Sequence, residues 1–311
     1  MLLVLGLAHP AHAVDGVIEI NQSKALAGGV TASDTPGFPV TLATGESYVL
    51  TSNLNAAGAP AATALLAADD VTIDLNGFEI VGPHVCTGQG SGISCPNVGS
   101  GDGIGGLPTN VAVKNGTVRG FGRGIWVTSR SRIEQVNVRE NRLAGISMGG
   151  RGHIVRDCVV ERNGAEGIWV NIQSVVTGNT ATGNGNHGIR CDADCTIREN
   201  TAVDNGGNGI QASRSVVTGN VASLNTGDGI NSGSSAVTNN VITLNGGDGI
   251  NAGSAALVVG NAVSSNTGTG IVLIGTSGYG QNVVNNNSGG TISAAVSQLG
   301  INVCDANTTC P

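Results

Sequence analysis

Short apolar runs along this chain are separated by glycine and asparagine, and they recur at a constant interval. Residues 240–250 read "NVITLNGGDGI", residues 220–230 "NVASLNTGDGI" and residues 200–210 "NTAVDNGGNGI". Aligned on a Gly-Ile pair, the isoleucines are Ile104, Ile125, Ile146, Ile168, Ile189, Ile210, Ile230, Ile250 and Ile271, and Ile292 continues the series after Thr291. A fixed period near 21 residues is the mark of a solenoid. The apolar runs are short, β-branched and bounded by Gly and Asn, so they predict strands, because helices need about ten residues or more. Each strand must then pair in parallel with its equivalent one coil on.

Other columns share the period. Five before the isoleucine stand Asn141, Asn163, Asn184, Asn205, Asn225, Asn245, Asn266 and Asn287. Ten before it stand Asn115, Asn179, Asn200, Asn220, Asn240, Asn261 and Asn282. Stacked at about 4.8 Å, each amide can donate to the next and accept from the last, and Asn also tolerates a left-handed corner. The Gly column suits positive φ or a close backbone approach. The spacing predicts an all-β parallel β-helix solenoid of about ten coils. Residues 1–13 read as a leader, 14–68 as an N-terminal cap with entry strands, 69–292 as the coils and 293–311 as a C-terminal cap. Residues 83–100 read as a loop thrown out of a coil.

"VTIDLNGFEIVG", "NVAVKNGTVRGFGRGI" and the "N-x4-N-x3-GI" repeats resemble secreted bacterial right-handed parallel β-helix repeat proteins of the pectin-lyase-like superfamily. The resemblance covers about residues 69–292. It implies a right-handed helix and polysaccharide ligands, since that superfamily includes lyases, hydrolases, epimerases and phage tailspikes. Its catalytic patterns are not found here. The acidic calcium cluster with a Lys or Arg base, the group of Asp carboxylates and the DPHE pattern are all missing, and fold alone does not fix function.

Composition narrows the partners. Charged residues are 11% and the net charge is -7, with two lysines, which excludes nucleic acid as an expected ligand. No apolar stretch is long enough for a membrane span. "MLLVLGLAHPAHA" ends in an A-x-A cleavage pattern, so the chain is expected to be secreted, periplasmic or at the cell surface. Seven cysteines fit an oxidising compartment, and proximity pairs Cys86 with Cys95, Cys191 with Cys195 and Cys304 with Cys310, leaving Cys158. No cofactor is expected; Asp192 and Asp194 in "CDADC" are the weak candidates for calcium.

All twelve arginines lie between Arg119 and Arg214, and beyond Arg214 the only charges are Asp228, Asp248 and Asp305. Two before the isoleucine, successive coils carry Arg123, Ala144, Glu166, His187 and Asn208; one after it, Trp126, Ser147, Trp169, Arg190 and Gln211. If the isoleucine points inward, these point outward. Trp126, Trp169, Arg190 and Arg123 are therefore the candidate ligand-binding residues, forming an aromatic and basic platform for an acidic glycan. Glu166, His187 and Arg190 are the weak catalytic candidates. Asp228 is expected to project outward with little structural role. The sequence supports a non-catalytic glycan-binding or structural surface protein, with a lyase, hydrolase or epimerase acting on acidic polysaccharide as the alternative.

Overall fold

The computed structural model describes residues 16–293, 297–305 and 310, apart from Pro60 and Ser100. The leader assigned to residues 1–13 lies outside the described residues. The described residues form a parallel β-solenoid of two sheets. One, here the Ile sheet, has 12 strands; the other, the broad sheet, has 23, because each coil gives it two short strands. The ten isoleucines pair in register from Ile104 to Ile292 and are buried. Leu65 and Val40 extend their column toward the N-terminus, which lengthens the stack beyond about ten coils. Among the described residues a single α-helix, Gln22–Ala27, stands near the entry of the chain, capped by Asn21, whose side chain accepts the Lys24 N–H.

Burial alternates as a half-buried strand requires. In Val216–Thr218 and Val221–Ser223, only the middle residue, Val217 or Ala222, faces inward. Fully burying one isoleucine contributes about 1.5–3 kcal/mol, so the inward columns supply most of the drive to stack.

Three corners join the strands of each coil, and two hold the asparagine ladders. Asn225 Nδ2 donates to Asn245 Oδ1 at 2.9 Å and to the Ala202 carbonyl at 3.0 Å. Its Oδ1 accepts from Asn205 Nδ2 at 2.9 Å and from the Asn205 backbone N–H at 3.1 Å. Every polar atom of the amide is thereby satisfied inside the wall. The second ladder runs from Asn179 to Asn302 in the same way.

Several expectations are corrected, and the Gly column resolves to one of its two alternatives. The left-handed residue is the one before each ladder asparagine, as at Glu199, Asp204, Leu224 and Asn239. The ladder side chain has to turn inward, and the residue ahead of it supplies the sharp change in chain direction. Asn115 occupies such a left-handed position, with φ of 59°, and donates to Asp74 instead of joining the ladder. The Gly column has no positive φ from Gly124 to Gly270. It reflects close approach: a Cβ on Gly209 would lie 2.7 Å from both Asn225 Nδ2 and the Gly229 carbonyl oxygen. Residues 83–100 are also not thrown out. The loop lies back along the corner of the first ladder. His84 N–H bonds the Gly120 carbonyl, Arg162 bonds the Cys86 and Gly88 carbonyls, Gly90 N–H bonds the Gly183 carbonyl, and Gln89 reaches Asp204.

The third corner holds a column that alignment on the isoleucines hides. Ser131, Ser174, Ser215, Ser235 and Ser277 are buried there, and each hydroxyl accepts a backbone N–H from the preceding coil. Its offset from the isoleucine varies between five and seven residues, which blurs the period. His153 and Cys195 take the place of serine in this column. Cys158 heads the second asparagine ladder, where its N–H bonds Asn179 Oδ1; burial pushes its thiol up to about 12.

Two measurements test this architecture. Asn225→Ala leaves partners unsatisfied on both sides and is expected to cost roughly 1–3 kcal/mol in denaturant unfolding. Asn239→Gly, at a left-handed corner that holds Gly219 and Gly260 in adjacent coils, is expected to stay within about 0.5 kcal/mol. His153 is buried, and neither ring nitrogen makes a hydrogen bond. Burial lowers its pKa from 6.5 to about 4. The unfolded chain thus takes up a proton below its ordinary pKa that the fold refuses until about pH 4. The histidine's contribution is full above pH 6.5 and is lost as pH falls toward 4, by about 3 kcal/mol in all. His153→Ser, which restores the residue of the column, is expected to flatten the melting temperature across that window.

Candidate functional site

Parallel register puts the residue after each isoleucine into one outward column: Trp126, Ser147, Trp169, Arg190, Gln211, Asn231 and Asn251. Ser147, between the tryptophans, is buried, and both tryptophans are half-buried. The column two before the isoleucine lies alongside. Its first member is Asp102, whose "GDGI" context matches that of Asp228 and Asp248. Sequence reasoning that begins this column at Arg123 misses Asp102, although extending the repeat alignment by one coil finds it.

Arg123 is tied to Asp102, at 3.0 Å from Nε to Oδ1 and 3.3 Å from Nη2 to Oδ2. Asp102 is buried; desolvation raises its pKa while Arg123 pulls it down. The Arg123 guanidinium carbon sits 3.3 Å from the centre of the Trp126 ring. That ring face is therefore covered by a cation, an arrangement favourable by about 0.5–1 kcal/mol at exposed sites.

Trp169 has a different setting. Its indole N–H points to Asp192, 3.3 Å from each carboxylate oxygen. Arg190 lies over the ring at 4.8 Å, bonds Asp192 through Nε at 3.0 Å and reaches Glu166 at 3.7 Å. Asn186 donates to Glu166 at 3.0 Å. One arginine thus gathers Trp169, Glu166 and Asp192. Asp194 is placed apart, at a left-handed corner, paired with Arg214 at 3.0 Å. Among the described residues no group of three or more His, Cys, Asp or Glu can hold a metal, and the two aspartates of "CDADC" are each engaged by a different arginine.

His187 Nδ1 accepts the Asn208 N–H at 3.0 Å, which puts the ring proton on Nε2. Burial lowers the pKa of His187, Glu166 raises it and Arg190 lowers it. Neutral His187 therefore offers an N–H donor, and its lone pair is already used. The same bond repeats down the column: Asp228 N–H to Asn208, Asp248 N–H to Asp228 and Thr269 N–H to Asp248, at 2.7–2.8 Å. Asp228 also accepts from Asn231 at 2.8 Å. This corrects the expectation of an idle outward carboxylate, because the side chain closes the backbone of the next coil.

His187, Arg190, Cys191, Asp192, Gln211 and Ser213 line an open depression of about 420 Å³. Its floor is stapled by the Cys191–Cys195 disulfide, which links the inward column of the Ile sheet to the serine-type corner. Cys86 pairs with Cys95 and Cys304 with Cys310. The arginine concentration has a second explanation. Arg119 and Arg139 bridge Glu79 and Glu140, Arg162 pairs with Glu140, and Arg132 and Arg156 flank Glu134, all on the broad sheet or its first-ladder corner.

Residues 91–231 match a family model described as a right handed beta helix region. No curated protein matches the chain by sequence. Among solved structures, the chain is similar to the A-module of the mannuronan C-5 epimerase AlgE6 from Azotobacter vinelandii. Identity is 17%, with 86% of this chain and 91% of that one covered, at a TM-score of 0.64. It is also similar to the catalytic unit of a GH87 alpha-1,3-glucanase from Streptomyces thermodiastaticus. Identity is 14%, with 85% of this chain and 60% of that one covered, at a TM-score of 0.60. A periplasmic alginate epimerase, AlgG, aligns at 14% identity over 92% of this chain and 84% of that one, at a TM-score of 0.54. At these identities the likeness is one of fold, that of a right-handed parallel β-helix.

Proposed function

We propose that this chain is an exported, non-catalytic glycan-binding β-helix whose ligand sits in the depression beside Trp169. The observation that carries the reading is the arrangement around Arg190. Its guanidinium is shared by Glu166 and Asp192, so neither carboxylate is free to act as one of an acid and base pair. The His187 lone pair is held by a backbone N–H. What remains is a fixed set of hydrogen-bond donors and acceptors, suited to sugar hydroxyls. Arg190, Asp192 and Glu166 sum to one negative charge beside neutral His187, in a chain of net charge -7. A neutral glycan therefore fits better than the acidic one that the arginine alone implies. The neighbours of this fold are a mannuronan epimerase and an alpha-1,3-glucanase by name, which supports a polysaccharide as ligand. Three disulfides support an oxidising compartment.

Trp126→Phe leaves Trp169 as the sole tryptophan and makes its fluorescence a local probe. Neutral oligosaccharides are expected to shift that emission at millimolar concentration or below, and uronic-acid oligomers much less. Further replacement of Cys191 and Cys195 by serine is expected to weaken binding severalfold, because the staple fixes the strand that carries Asp192. New reducing ends, or absorbance at 235 nm from unsaturated products, on prolonged incubation would overturn the non-catalytic reading. Equal response to neutral and acidic oligomers would overturn the charge argument.

A further inference from the structure

The third corner carries a column of outward residues along one edge of the stack. Its left-handed positions are Asp70, Asn110, Arg130, Gly152, Gln173, Asp194 and Arg214, and Arg151 stands beside Gly152. Both ends of this run are closed. Asp70 accepts from Asn110 Nδ2 at 2.7 Å, and Asp194 pairs with Arg214 at 3.0 Å. Between them, Arg130 and Arg151 occupy adjacent coils, joined by the Arg130 N–H to the Arg151 carbonyl at 2.8 Å. Both are exposed, and among the described residues neither guanidinium makes an ion pair or a hydrogen bond. A Cβ on Gly152 would lie 3.9 Å from Arg130 Cγ, so the Arg130 stem leans over the coil of Arg151. The chain also departs from its repeat to present Arg151. The register shifts between Met148 and Arg151, and Gly150 and Gly152 flank the arginine with φ of 83° and 75°. A bulge of this kind re-aims a side chain. His153 follows, buried in the same corner with neither ring nitrogen hydrogen-bonded.

We propose that Arg130 and Arg151 together bind a phosphoryl group. Stacked like charges repel, and the coils on either side offer this pair an amide, Asn110 or Gln173, in place of a carboxylate. The missing counter-charge is left for a ligand to supply. The donors select its class. Each guanidinium presents a planar fork that one carboxylate fills by itself. Two adjacent forks call for more acceptors and more charge. A phosphate monoester carries three acceptor oxygens and close to two negative charges at neutral pH. Gln173, exposed one coil on, adds an amide donor beside them. The pair lies two coils, roughly 10 Å, from the coil of Asp192, so the site is independent of the depression beside Trp169. Both arginines face water in a chain of net charge -7, so binding is weak and falls with added salt.

Arginine Nε–H signals of the isotope-labelled full chain, titrated at low ionic strength with inorganic phosphate, glucose 6-phosphate, glucuronate and glucose, read the site. Both phosphoryl probes are expected to move the Arg130 and Arg151 signals in the millimolar range. Glucuronate is expected to bind at least about fivefold more weakly, and glucose not at all. Arg130→Gln and Arg151→Gln, each tolerated because Gln173 already occupies this corner, are each expected to weaken phosphate binding roughly fivefold or more. Arg198→Gln is the matched control. That arginine is also exposed and unpaired among the described residues, but it stands between Thr177 and Thr218 with no second arginine beside it. Its loss is expected to change the affinity by less than about twofold. Equal loss in Arg198→Gln overturns the inference, because phosphate would then follow net charge alone. Unmoved Arg130 and Arg151 signals overturn it too, as does glucuronate binding as tightly as phosphate. A lower melting temperature for both ligand-free glutamine variants also overturns it, because the arginines would then serve the fold. Tighter binding of glucose 6-phosphate than of inorganic phosphate supports a phosphorylated glycan as the source, and equal binding supports the free ion.

Discussion

Every side chain in this fold has its own equivalent as nearest neighbour, about 4.8 Å away along the stack. A column is stable only if its residue pairs well with itself or with its counterpart in the adjacent coil. Isoleucine meets this condition by packing, and asparagine by a donor and an acceptor on one planar group. Charge does not meet it unless the sign alternates. Several charged columns obey that rule, Asp102 with Arg123, Glu134 with Arg156 and Asp194 with Arg214, whereas Arg119 and Arg139 stack in register and share Glu79. Asp228 and Asp248 break it, and each carboxylate is satisfied by the backbone N–H of the next coil. The 11% of charged residues reflects the same condition.

The condition also explains which parts were legible in advance. Periodic residues declare themselves, so the Ile column, the first ladder and the inward Val and Ala positions are readable from spacing alone. Features that depend on a variable offset are not. The serine corner drifts by up to two residues against the isoleucines, counting His153, and His153 looks isolated in the sequence although it belongs to the column. Asn115 shows the opposite failure, since its spacing fits the ladder but its backbone places it one residue early. The loop of residues 83–100 carries no period, and its path along the corner depends on bonds to coils far ahead of it.

At the candidate site, register brought Trp169, Arg190, Glu166 and His187 together as the columns imply. What the columns do not encode is which group each side chain chooses. Arg190 turns to two carboxylates, the Trp126 ring is covered by Arg123, and His187 gives its lone pair to the backbone. The proposed reading, a set of fixed hydrogen-bonding groups instead of an acid–base centre, rests on these choices. They arise because side chains around Trp169 have unlike neighbours one coil on, the exception to the like-on-like rule elsewhere in the stack.

A solenoid behaves as a one-dimensional array in which each repeat senses only the repeats beside it. The loop of residues 83–100 breaks that locality. It leaves the chain before Gly120 and returns contacts to coils as far on as Gly183 and Asp204. Coils that would otherwise open one at a time are clamped along a side. The N-terminal and central coils thus form one cooperative block, while coils beyond Asp204 retain only nearest-neighbour coupling and can fray from the C-terminal end. Trp169, Arg190 and His187 lie within the block, so local opening at the far end leaves the proposed site intact.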